Sequence, residues 1–198
     1  MKAVALALAA LAVSLSLPPL RQLIEQRMVW HMLVQMPLLV AAGACAAAAW
    51  PLGPSGRWGR WARFNRHGLT GFMLAQCIAA YWMLPAQVDR AVVLLSADAW
   101  KLATLWLAGA ALRQSWVQSP LALQLFFVGY GLPMMAWLGF YLATTDLRLC
   151  NAYTLESQVR TGHGMVLLAV VLGVAWGAGV RREVLPSAPK APTSLEGG

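Results

Sequence analysis

The chain has 198 residues, of which 60% are hydrophobic and only 11% charged, and its mean hydropathy is +0.61. Soluble domains run to about 25% charged residues, so the composition excludes an ordinary soluble enzyme and predicts an all-α, polytopic membrane helix bundle. The net charge of +8 would suit nucleic acid, but its placement between apolar runs argues for a membrane topology signal instead. Cys45, Cys77 and Cys150 form no C-x-x-C pair and no disulfide framework.

Residues 1–17 are a run of Ala, Leu and Val tagged by Lys2 and stopped by Pro18-Pro19. A basic start and a short apolar core fit a signal peptide, yet no polar region with a small-x-small site precedes the prolines, which favours an uncleaved helix. Residues 20–26 form a polar connector carrying Arg21 and Glu25. Residues 28–50 are the second span, long enough for a hydrocarbon core that takes about 20 helical residues, and Pro37 is expected to kink it. Residues 51–68 interleave Arg57, Arg60, Arg63 and Arg66 with Trp58 and Trp61. That mixture can bind nucleic acid, but beside two spans it reads as a cytoplasmic loop with an interfacial aromatic belt.

The third span covers 69–84 and ends at Pro85, with Asp89 and Arg90 marking a turn. The fourth, within 91–116, carries Asp98 and Lys101 at i, i+3, a spacing that allows an ion pair near the aqueous end. The fifth covers 121–144, where Gly131 and Pro133 invite a bend. A polar loop, 145–160, leads to a sixth span at 162–180. The bundle thus occupies residues 1–182, with about six transmembrane helices, or five if the N-terminal segment is cleaved. Residues 183–198 read as a disordered polar tail.

Charge orients the bundle. With both termini inside, the inner segments hold Lys2, the four loop arginines, Arg113, Arg181, Arg182 and Lys190 against Glu183 and Glu196. The outer side holds Arg21, Arg27, Arg90, Lys101, Arg148 and Arg160 against Glu25, Asp89, Asp98, Asp146 and Glu156. The asymmetry obeys the positive-inside rule and predicts a cytoplasmic N-terminus and C-terminus.

The most informative stretch is 27–43, RMVWHMLVQMPLLVAAG. Met28, His31, Met32, Gln35 and Met36 recur at three- and four-residue spacing and are expected to share a helical face. Imidazole and thioether are soft ligands suited to Cu(I), and a polar group within a span is a functional hypothesis by default. Spacing alone favours packing over ligation for the same residues, Met being a common gap-filler. The proposed orientation brings His31, Met83, Asp98, Lys101, His163 and Met165 toward the outer leaflet.

At these residues the chain resembles the bacterial CtaG-type cytochrome c oxidase assembly proteins. The 27–43 stretch is similar to that family's H-M-x-x-H-M-L segment and following P-L-L-x-x-G, with Arg27 in place of the first histidine and His31-Met32-Leu33 retained. Tyr81-Trp82-Met83-Leu84-Pro85-Ala86 resembles W-H-L-P-A, with Met83 replacing histidine. Asp98 and Leu102 fall at the two positions of H-x-x-x-H, before Leu107-Ala108-Gly109. Glu156, Gln158, Gly162 and Met165 match a segment L-E-D-Q-Q-x-G-G-x-x-M. The resemblance implies a multi-pass protein of the bacterial inner membrane that assists oxidase assembly without being an enzyme. It also implies copper held by His31, Met28, Met32 and Met83, and passed to respiratory oxidase subunits or a copper-accepting protein. The alternative is a metal-free accessory or structural subunit packed against a respiratory complex. In that reading the partners are membrane lipids and that complex, and nucleic acid is not among them. A transporter or enzyme is the weakest reading, since no phosphate loop, nucleophile–base pair or internal repeat is evident.

Overall fold

The computed structural model describes residues 2–14, 17, 20–49, 61 and 63–184. Every regular element among them is helical: α1 (Lys2–Ser14), α2 (Leu20–Glu25), α3 (Met28–Ala49), α4 (Leu69–Trp82), α5 (Pro85–Val93), α6 (Leu95–Gln118), α7 (Leu121–Thr144) and α8 (Leu155–Val184). Most of the arginine-rich 51–68 loop and residues 185–198 of the expected tail lie outside the described residues; α8 itself runs to Val184.

Packing follows the small residues. In a membrane setting helices associate through close van der Waals contact, and Gly and Ala let backbones approach. α3 and α6 cross so tightly that a Cβ at Gly43 would overlap the Trp106 carbonyl, and one at Gly109 the Val40 carbonyl. α1 lies against α3 with Ala12 buried, and α4 lies against α6. α7 and α8 form a second unit, in which Gly139 and Gly162 each abut the other's carbonyl. α4 and α7 meet only over a short stretch, so a cavity is left between the two units.

An apolar core encloses a set of polar side chains, and much of the outer surface is apolar as well. Glu25, His31, Gln35, Asn65, Asp98, Lys101, Ser115 and Gln158 are buried, whereas Phe126, Trp137, Phe140, Leu167 and Val170 are exposed. Only 6% of the most apolar window of α7 is buried, which leaves its hydrophobic surface facing outward, as lipid would require.

Among the described residues three helices are long and apolar enough to cross a membrane: Met28–Ala49, Leu121–Thr144 and Leu155–Arg181. α4 and α5 qualify together as a fourth, although they are bent by 74° at their junction. Length and composition therefore do not support the expected six spans. α1 has 13 residues and α4 has 14, short of the roughly 20 a span requires. α6 has 24 residues but carries Asp98 and Lys101 near its start.

Three boundaries also differ from expectation. Asp89 and Arg90 lie within a helix, because Pro85 at the first helical position opens α5; the break falls at extended Leu94 instead. The last helix begins at Leu155 rather than 162, its first turn capped by Thr154 Oγ1 accepting from the Ser157 N–H at 3.3 Å. The expected disturbance at Pro37 is displaced: a π-helical segment at His31–Gln35, closed by the Met36 N–H to the His31 carbonyl, lies just before it.

At the other end, α4 starts from Gly68, whose φ of 78° is a left-handed conformation suited to glycine. Asn65 Oδ1 accepts from the Gly71 N–H at 2.9 Å, and Asn65 Nδ2 donates to Ser115 Oγ at 3.1 Å.

Gly43→Val should destabilise the bundle by about 1–3 kcal/mol, the usual cost of forcing bulk into a packed contact, read as a lowered midpoint of thermal unfolding in detergent. Gly177→Ala, with nothing within 4 Å of its added Cβ, should leave the midpoint nearly unchanged.

Candidate functional site

The centre of the molecule is a closed set of four charges. α2 places Arg21 and Glu25 on one face at i, i+4 spacing, and the first turns of α6 place Asp98 and Lys101 at i, i+3. Arg21 Nε lies 2.9 Å from Glu25 Oε2 and 3.3 Å from Asp98 Oδ2. Lys101 Nζ lies 3.0 Å from Glu25 Oε1 and 2.7 Å from Asp98 Oδ1. Each carboxylate thus bridges both cations. Arg21 Nη2 also donates to the Ala91 carbonyl in the last turn of α5 at 3.0 Å. The Asp98–Lys101 pair expected at an aqueous end is formed but buried, at 2% and 0% exposure. Its charges are balanced by protein rather than by water.

His31 abuts this set. It is fully buried, with Nδ1 3.7 Å from Glu25 Oε1, beyond hydrogen-bonding distance. Among the described residues neither ring nitrogen makes a hydrogen bond. Its ring centroid is 6.3 Å from that of Tyr153, whose hydroxyl is likewise buried without a partner. Buried polar atoms of this kind are usually met by ordered water.

The segment between α7 and α8 closes over this region. Asp89 accepts from the N–H groups of Asn151 and Ala152 at 2.9 and 3.2 Å. Gln158 accepts from the Leu149 N–H at 2.9 Å and donates to the Leu147 carbonyl at 3.0 Å. Ser157 Oγ accepts from the Met28 N–H at 3.0 Å, tying the start of α3 to α8. Burial, and then the Asp89 carboxylate, push the Cys150 thiol up to about 11. Burial followed by Glu25, Cys150 and Asp89 raises the Tyr153 hydroxyl. Both shifts favour the neutral side chain.

Beside the charges lies a cavity of about 790 Å³ between α4 and α7, walled by Met28, Met32, Met73, Met83, Met134 and Met135. Of the four candidate ligands read from the sequence, Met28, Met32 and Met83 share this cavity, whereas His31 turns into the charge cluster and does not line it. The expected set of His31 with three methionines is therefore not assembled. Arg27 is exposed, and Leu102 is half-buried against the apolar core.

Among the described residues no group of three or more His, Cys, Asp or Glu is arranged to hold a metal ion. The carboxylate oxygen that His31 Nδ1 faces, Glu25 Oε1, is already contacted by Lys101 Nζ at 3.0 Å.

Arg21 and Glu25 were missed as site residues. The available signal was two local pairs of opposite charge, R-x-x-x-E in the connector and D-x-x-K in the helix, each too polar for its apolar neighbourhood. Comparison with known proteins returned no matching family model, no matching curated protein and no matching solved structure.

Removing one partner of a buried ion pair costs about 3–5 kcal/mol because the survivor is uncompensated. Glu25→Gln and Lys101→Met should each destabilise strongly, and the double variant should cost at least about 1 kcal/mol less than their sum. Unfolding of the purified protein in detergent measures the cycle. Additivity would place both groups in water.

Proposed function

We propose that the protein is a membrane-embedded accessory factor of a respiratory complex that works without a bound metal. The observation that carries this reading is the charge set beside His31. At the positions where the resembled assembly family has histidines, this chain has Arg27, Met83, Asp98 and Leu102 beside the retained His31. Asp98 and His31 meet in one cluster, with Lys101 between the two carboxylates. A covalently attached ammonium stands there as the cation, which supports a structural use of those positions. The contribution to a partner is then assembly and contact rather than turnover, and the outward-facing apolar surfaces of α7 and α8 suit lipid and neighbouring membrane subunits.

In this reading the chain sits in the bacterial inner membrane with both termini cytoplasmic. Six crossings are retained as part of the proposal. α6 is long enough at 24 residues, lies along α3, and carries charges that Arg21 and Glu25 neutralise within the bundle. α1 lies against α3. A reporter fused after Val180 should be cytoplasmic; a periplasmic reporter there would reverse the assignment of the last helix.

A second reading is favoured by the sulfur lining of the cavity. Met28, Met32 and Met83 are thioethers lining one cavity, and such ligands suit Cu(I). Metal analysis of the protein purified without chelator separates the two. The accessory reading expects no stoichiometric copper, no change in melting on challenge with a Cu(I) chelator, and loss of oxidase maturation in a strain lacking the chain that added copper does not restore. Stoichiometric copper lost in Met28→Leu or Met83→Leu would establish the second reading.

A further inference from the structure

The cavity between α4 and α7 contains a side-chain amide that helix packing does not employ. Gln76 projects into it from the middle of α4 and rests against Gly131 of α7, where an added Cβ would lie 3.0 Å from the amide nitrogen. Among the described residues the Gln76 side chain has no hydrogen-bond partner. An amide in an apolar setting is costly unless it is satisfied, and a polar group placed in an otherwise apolar cavity is how ligand sites fix orientation.

Three properties define what would satisfy it. First, no Lys, Arg, His, Asp or Glu lines the cavity, so a phosphate or carboxylate ligand would have no counter-charge, and the occupant is neutral. Second, Gln76 lies seven residues from Leu69 and six from Trp82, or about 10 Å from either end of α4 at 1.5 Å per residue. A lipid headgroup stays at the interface, whereas this amide calls for a polar atom that travels at hydrocarbon depth. Third, the wall combines aromatic rings with methionines. Phe127 is stacked on Phe72 with centroids 4.8 Å apart, and exposed Tyr130 and Trp137 form the rim. Buried Met28 and half-buried Met32 and Met83 give an adaptable surface for a flexible chain.

A neutral molecule with a flat carbonyl-bearing ring and an apolar chain meets all three. We propose that the cavity binds an isoprenoid quinone, with the Gln76 amide donating to a ring carbonyl and the methionines receiving the chain. The volume of about 790 Å³ falls within the range of small-molecule sites. Membrane quinone reaches the cavity laterally, since the rim residues are exposed while Met28, Phe127 and Leu142 behind them are buried. The assignment is of binding, with no electron transfer, and it is independent of whether the chain also carries copper.

The test uses the full chain in detergent, titrated with a decyl-substituted benzoquinone and followed by quenching of tryptophan fluorescence, with decylbenzene as the competitor lacking carbonyls. The site requires saturable quenching that decylbenzene displaces poorly. Gln76→Leu should weaken quinone binding about tenfold, the effect of one hydrogen bond, without altering the weak competition by decylbenzene. Gly131→Leu should remove binding by filling the space against Gln76. Should that variant fail to fold by circular dichroism, Ala80→Phe at the exposed rim supplies the same block. Equal displacement by decylbenzene and quinone, or wild-type affinity in Gln76→Leu, overturns the proposal. Copper content of the same samples is measured separately, so failure of the metal-free reading and failure of this one are distinguishable.

Discussion

The architecture depends on keeping four charges together out of water. A buried ion pair repays its desolvation only with good geometry and further hydrogen bonds, and here both conditions are met by alternation. Arg21 and Lys101 each contact both Glu25 and Asp98, so no member faces the interior with a single partner. Because the set draws on α2 and α6, and through Arg21 on the end of α5, it fixes three elements with respect to one another. Loss of any one member leaves the other three unbalanced, which makes this the point on which the fold is least tolerant.

The cavity inherits its shape from that arrangement. His31 and Met32 are consecutive, hence on different sides of the helix. Once His31 is drawn to Glu25, Met32 and Met28 are turned toward α4 and α7. The π-helical segment at His31–Gln35 sits at this division, where such segments often accompany functional sites. Ser157 on the Met28 N–H and Gln158 on the 145–154 segment then hold α8 against the same turn. The electrostatic centre and the apolar cavity are two sides of one helix start.

Much of the helical architecture was legible in the sequence, because long apolar runs bounded by proline or polar clusters admit few other structures. The boundaries at Pro85 and Thr154 were harder, since each is decided by a local cap that the polar composition of the neighbouring residues obscures. Length and composition show three or four spans rather than six, because helices such as α1 and α4 are apolar but shorter than a crossing requires. The candidate site was legible only in part. A three- and four-residue spacing brings Met28 and Met32 together, but it also covers enough of the helix surface for His31 to face a different neighbour. Glu25 and Arg21 looked like connector residues, as nothing in one sequence tells which distant pair of opposite charge will meet them. Gln76 stood unnoticed for the same reason: its significance lies in Gly131, across the cavity.

The two halves of the charge set are each neutral by themselves. Arg21 and Glu25 pair within α2, and Asp98 and Lys101 pair within α6. Chains are made from the N-terminus onward, so α2 emerges and must be accommodated well before α6 exists. A lone buried cation or carboxylate would be stranded during that interval. Two self-balanced dipoles are not: each arm can wait at the membrane boundary in a local ion pair, and docking later requires only that each pair keep its own contact and add one across to the other. The order of synthesis thereby becomes compatible with a centre that, once assembled, admits no missing member.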